Sequence, residues 1–236
     1  MQTKFLRPSR LGVLAIAALL LAGCVTRSIS NSGYPGSNNP LYHGELSDFD
    51  VLGAPATGPI TDTQIAETLA SAKQLAPHRN ERILVIQSGA MTPDSEMLSA
   101  LGADFSLGSL SGVPGQPHND YARQLRLIAA QGGYGQLLCY WGTLESSKTD
   151  EVTKAVSWVP IAGWLVPDQT QKMRIVLRAV LVDVATGHWR MYRPLPIDDE
   201  QLSAMIGRRS SDQDQVARLK DAGYSALAHD IVASAE

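Results

Sequence analysis

Apolar positions change their spacing along the chain, and each spacing predicts an element. Thr61 is a favourable N-cap, and Ile65, Leu69, Ala72 and Leu75 recur at helical intervals until Pro77. Residues 82–87 form a short β-branched run closed by Ser88-Gly89, which predicts a buried strand. Thr92 and Pro93 open a short helix over 94–101 that Gly102 stops. Phe105, Leu107 and Leu110 lie in a Ser- and Gly-rich stretch read as a loop, closed by Pro114 and Pro117. Asn119 caps an amphipathic helix through Tyr121, Leu125, Ile128 and Ala129 that ends at Gly132-Gly133.

Two longer strands follow. The first covers 136–144. The second covers 172–184 and is apolar on both faces, with Met173, Ile175, Leu177, Ala179 and Leu181 on one side and Val176, Val180, Val182 and Val184 on the other. A strand of that kind belongs in the centre of a sheet covered on both sides. Thr186-Gly187 turns the chain into a strand over 188–193, which Pro194 and Pro196 stop. A helical region begins near Asp198, and a stronger helix from Asp212 keeps Val216, Leu219, Gly223, Leu227 and Ile231 in helical register. The expected fold is α/β (or α+β): a single three-layer sandwich domain over 61–236 with a mixed sheet of 3–5 strands.

The front of the chain is different. Residues 1–10 carry Lys4, Arg7 and Arg10 without an acid, and 11–22 are continuously apolar. That run is too short to span a bilayer, which takes about 20 residues, and has the length of a signal-peptide core. Leu21-Ala22-Gly23-Cys24 follows the basic and apolar regions in order and resembles the lipobox of bacterial lipoproteins at all four positions. The resemblance implies cleavage of a signal peptide over 1–23, attachment of diacylglycerol to the Cys24 thiol and acylation of the new amino group, with chains such as palmitate. Several acyl chains on one residue hold a protein at a bilayer without a spanning helix. Among Gram-negative lipoproteins the residue after the lipidated cysteine biases sorting, and Val25 rather than Asp implies the outer membrane, periplasmic face. Residues 24–60 are rich in Ser, Asn, Gly and Pro, so a lipidated flexible tether is expected there; as a coil it would reach roughly 30–35 Å. The islands Leu41-Tyr42 and 49–52 are its apolar exceptions.

Charge and cysteine usage narrow the function. Without 1–23 the chain keeps 17 Lys and Arg against 23 Asp and Glu, a formal charge of −6, too acidic for nucleic acid. With Cys24 lipidated only Cys139 remains, which leaves no internal disulfide. Its apolar setting at 137–141 predicts a buried thiol rather than a nucleophile.

Three stretches support a further likeness. The strand at 82–87, the strand start at 134–142 and the end of the long strand, with Asp183, Thr186 and Gly187, resemble the fold shared by the curli-secretion lipoprotein family, the amino-terminal domain of the Tol-system propeller protein and several small envelope lipoproteins. The likeness covers about residues 60–195. No alternating hairpins long enough for a secretion barrel are present, so channel activity is not implied.

The segment 155–167 is unusual for a connection between strands, because it is aliphatic and holds two Trp and two Pro residues. Trp158, Val159, Ile161, Trp164 and Leu165 are therefore candidate contacts for a partner or a membrane, or a cover for the protein's own sheet. Catalytic patterns are sparse. Residues 108–112 place Leu110 where a Gly-x-Ser-x-Gly elbow needs Ser, and no metal-ligand spacing, Ser-x-x-Lys or His-Glu-x-x-His occurs. His118 with Asp120 and a nearby serine is the one arrangement that suggests a hydrolytic site. The expected function is a non-enzymatic, lipid-anchored envelope module for assembly or partner binding, as a homo-oligomer or with another protein and without cofactor or metal; the alternative is a periplasmic hydrolase with its site near His118.

Overall fold

The computed structural model describes residues 28–32, 39, 41–53, 58–72, 75–115, 120–149, 156–160, 173–199 and 212–235. Among them, five strands form one continuous sheet in the order β2-β1-β3-β5-β6. These are β1 Arg82–Ser88, β2 Ser106–Gly112, β3 Gln136–Thr149, β5 Met173–Asp183 and β6 Trp189–Tyr192. Two shorter strands, β4 Val156–Pro160 and β7 Ile197–Asp198, extend the edges of β3 and β5. β1 pairs in parallel with both β2 and β3, whereas β3–β5 and β5–β6 are antiparallel. The sheet is thus mixed, and β5, apolar on both faces, lies inside it with a core on either side.

The helices fall on opposite faces for a reason of handedness. Helix α3 (Ser95–Leu101) connects β1 to β2 on one side, and α4 (Tyr121–Gln131) carries the chain from β2 back across β1 to β3. Right-handed crossovers in opposite directions put their helices on opposite faces. Met97 and Leu101 of α3 accordingly pack with Leu219, Tyr224, Leu227 and Ile231 of α5 (Asp212–Ala233) against Val85, Leu138, Tyr140 and Met173, Ile175, Leu177, Ala179 and Leu181 of β5. Leu125 and Ala129 of α4 pack with Val51 of α1 (Asp48–Leu52) against Ile86, Leu137, Cys139, Val180 and Val182. Gly223 lets α5 approach β5 closely, since a Cβ there would meet Leu177 Cδ1 at 2.9 Å. The Asp183-Thr186-Gly187 turn forms as its residues suggest. Asp183 Oδ1 accepts from the Thr186 amide and hydroxyl, each at 2.7 Å, and Gly187 takes a φ of 77°.

Several expectations are corrected. The segment at 106–112 is an edge strand, not a loop: all seven of its residues pair with β1, and Leu107 and Leu110 reach the two cores. β3 runs five residues past its expected end, because β4 pairs with it from Glu145 to Thr149. Trp158 and Val159 therefore stand in a strand rather than in a loop. Helix α2 (Asp62–Ser71) forms with the Thr61–Gln64 capping box, yet it buries no side chain, and Ile65 and Leu69 are exposed.

The largest correction concerns the expected tether at 24–60. Among its described residues several are packed into the domain, while Leu41, Phe49 and Ile60 stay exposed. Ile29, Leu46 and Val51 belong to the cores, and Ser28, Ser30, Asn31, Ser32 and Asn39 are buried as well. Composition argued for a coil, but Ser and Asn side chains here replace the regular backbone ladder as hydrogen-bond partners, so a polar sequence is ordered by capping rather than by apolar burial.

Candidate functional site

In open α/β sheets the crevice for ligands lies beyond the carboxyl ends of the strands, where the connections diverge. Here that point is the end of β1, and a strap formed by Ser28–Ser32 crosses it. The strap holds a single 3-10 turn, Ile29–Asn31, capped by Ser28, whose Oγ accepts from the Ser30 amide at 3.0 Å. Ser28 forms an antiparallel bridge to Thr143, filling the gap on the edge of β3 between β1, whose pairing runs to Gln87 opposite Tyr140, and β4, which ends at Pro160 opposite Glu145. Ile29 reaches the core where Gly142 gives it room; a Cβ on Gly142 would stand 2.8 Å from Ile29 Cγ2. Asn39 closes the strap, its amide donating to Asn31 Oδ1 at 2.8 Å and its Nδ2 to the Ser30 carbonyl at 3.1 Å.

Beneath the strap lies a chain of buried polar groups. Ser30 Oγ donates to the Ser88 carbonyl at 2.6 Å and accepts from Gln87 Nε2 at 3.0 Å. Gln87 Oε1 accepts from Tyr140 Oη at 2.6 Å and from the Asp94 amide at 2.7 Å. The Asp94 carboxylate in turn accepts from Lys220 Nζ at 2.9 Å and from Tyr224 Oη. The rings of Tyr140 and Tyr224 meet edge to face at 5.7 Å. Burial, with the charge of Asp94, holds both phenols well above their ordinary pKa, so they act as neutral donors. The network thereby ties strap, β1, β3, α3 and α5 together. It lines a cavity of about 430 Å³ whose walls include Ile29, Ser30, Leu41, Gln87, Met91 and Lys220.

On the other side of β1 the strap meets a second cluster. Ser28 Oγ donates to Glu45 Oε1, while Glu45 Oε2 is buried without a hydrogen-bond partner. Burial first of all raises the Glu45 pKa, although hydrogen bonds from Ser28 and Ser88 and the charge of Arg178 oppose it. Tyr42, packed beside Glu45, is pushed up to about 12 by burial and by that carboxylate. Leu46 is fixed at both of its backbone groups, its amide donating to Ser88 Oγ at 2.8 Å and its carbonyl accepting from Trp141 Nε1 at 2.7 Å. Arg178 stacks over the Trp141 ring at 4.2 Å and pairs with Asp48 at the start of α1.

The structure brings few of the sequence-predicted site residues together. Cys24, His118, Ile161, Trp164 and Leu165 lie outside the described residues, and Trp158 and Val159 occupy β4 opposite Ser147 and Ser146. Asp120 is exposed and pairs with Arg123 at 3.8 Å. Cys139 is fully buried, and burial foremost raises its thiol pKa well above the ordinary value. Among the described residues no cluster of His, Cys, Asp and Glu is suited to a metal, and no helix is long and apolar enough to cross a membrane. Sequence reasoning missed Gln87, Asp94, Tyr140, Lys220 and Tyr224, which are separated by up to 137 residues of chain. Gln87 left one trace, as a polar residue ending an apolar strand.

No curated protein matches the chain significantly. A family model described as YafT bacterial lipoprotein matches residues 47–234, which takes in every helix and strand described above apart from the strap's turn. The chain therefore belongs to the YafT bacterial lipoprotein family, as a membrane-associated lipoprotein of the bacterial envelope.

Proposed function

We propose that the protein is anchored through lipid on Cys24, stands on the periplasmic face of the outer membrane and acts there as a non-enzymatic module that binds a partner during envelope assembly. The lipobox at 21–24 supports the anchor, and Val25 supports the outer membrane. The observation that carries the reading is the strap: the chain from Ser28, four residues after Cys24, is knitted into the crevice of the sheet. The groups around that crevice favour binding over catalysis. Gln87, Ser30 and Tyr140 are committed to one another, and Asp94 is committed to Lys220 and Tyr224. None of them is left as an activated nucleophile or base.

Intact-mass measurement of the mature amino-terminal peptide should show Cys24 as the first residue with diacylglycerol and an acyl chain. Cys24→Ala should remove that mass and release the protein from the membrane fraction. Val25→Asp should move the lipidated protein toward inner-membrane density on a sucrose gradient. An unmodified Cys24 in the mature protein sinks the anchoring proposal.

A further inference from the structure

We infer that the end of the sheet that carries the strap, with Leu41 and Met91 beside it, is a surface that rests on the phospholipid headgroups of the bilayer. The inference depends on Cys24 being the lipidated residue, and it follows from the length of chain between that residue and the fold. Only Val25, Thr26 and Arg27 separate Cys24 from Ser28. Four residue steps span at most about 14 Å even when fully extended. The headgroup layer itself occupies roughly 5–8 Å on each side of the hydrocarbon core. A leash of that length leaves no space for the domain to stand clear of the lipid, in contrast to the roughly 30–35 Å of a free 35-residue coil.

Strand register defines which end faces the membrane: it is the end toward which β3 continues past Thr143 to Thr149 beside β4. The strap runs antiparallel to β3, with Ser28 opposite Thr143 and Ser30 bound to Ser88 at the end of β1. Ser28 is thus the strap residue nearest the carboxyl-terminal part of β3, and the anchor attaches on that side. The two large apolar side chains beside the strap on this side, Leu41 at 56% and Met91 at 54% exposure, line the same cavity as Ile29 and Ser30. Solvent-exposed apolar side chains flanking a lipid anchor are the type of residue that embeds at a headgroup boundary. The opposite end, at the β5–β6 turn, is remote. Asp183 pairs with Gln136, seven residues along β3 from Thr143, which is roughly 23 Å by strand rise.

The test uses the full, lipidated protein in phosphatidylethanolamine and phosphatidylglycerol vesicles doped with a headgroup-nitroxide lipid. Cys139 is buried and Cys24 is blocked by lipid, so a single introduced cysteine takes a fluorophore selectively. Leu41→Cys and Met91→Cys should be quenched several-fold more strongly than Ala185→Cys in the distal turn and Leu69→Cys on the exposed face of α2. A long Gly/Ser spacer inserted between Val25 and Thr26 should erase that contrast. Equal quenching at all four positions, stronger quenching at 69 or 185, or a contrast that survives the spacer overturns the inference. Intact mass is read on the same samples: acylated protein without the contrast defeats this inference alone, whereas unacylated protein defeats the anchor proposal with it.

Discussion

Gln87 Nε2 donates to Ser30 Oγ at 3.0 Å, joining the strap to the central parallel strand across 57 residues of chain. Because Gln87 also accepts from Tyr140 and from the Asp94 amide, the position of the strap, the start of α3 and the docking of α5 are set by one connected group of hydrogen bonds. A residue near the amino terminus thereby becomes part of the core architecture.

The strap should contribute to stability like any core element. Ile29 is 1% exposed, and Ile29→Ala should lower the unfolding free energy by about 2–4 kcal/mol in a denaturant titration, as core truncations do. Leu69→Ala, on the exposed face of α2, should stay within about 0.5 kcal/mol of the parent. An Ile29→Ala effect as small as that of Leu69→Ala would mean that the strap is not docked in solution.

The contact between Asp94 and Tyr224 should appear as an energetic coupling. Tyr224→Phe leaves the carboxylate with Lys220 but removes a buried donor, and a loss of about 1–2 kcal/mol is expected. In a double-mutant cycle with Asp94→Ala, the two losses should fall short of additivity by about 0.5–3 kcal/mol. Additive effects would show that the hydroxyl finds its partner elsewhere.

Glu45 should make the stability of the protein depend on pH. Its folded pKa is raised above the ordinary 4.5 by burial, so folding favours the protonated form. That contribution is fully present below about 4.5 and is lost as pH rises through the folded pKa. Glu45→Gln, which keeps the shape and removes the ionisation, should therefore gain stability over the parent at pH 7 and lose the advantage at pH 4, measured as the difference in thermal midpoints. A difference independent of pH would contradict the burial of Glu45 Oε2.

Cys139 should resist thiol reagents in the folded protein. Its burial and raised pKa remove both access and thiolate. Alkylation at pH 8 should be negligible without denaturant and should rise along the unfolding curve. Rapid modification under native conditions would place the thiol nearer the surface.

Local sequence was enough to determine much of this protein. The β-branched runs of β1 and β5, the N-cap at Thr61, the Asp183-Thr186-Gly187 turn and the spacing of Val216, Leu219, Leu227 and Ile231 act over a few residues, so each could be read directly. The lipobox-like 21–24 is likewise local, and it pointed to the lipoprotein class that the family match shows. Tertiary structure alone decided the fate of the Ser- and Asn-rich start of the chain. The partners of Ser28 and Ser30 include a carboxylate, a strand carbonyl and a glutamine up to 58 residues away, and no periodicity encodes such pairings. The same holds for β2, whose Ser-Leu-Gly-Ser-Leu-Ser-Gly sequence lacks strand propensity and becomes a strand because β1 supplies a template beside it. Exposure of the apolar stripe on α2 was also invisible in sequence, since amphipathic spacing specifies a face but not whether the fold supplies a surface to cover it.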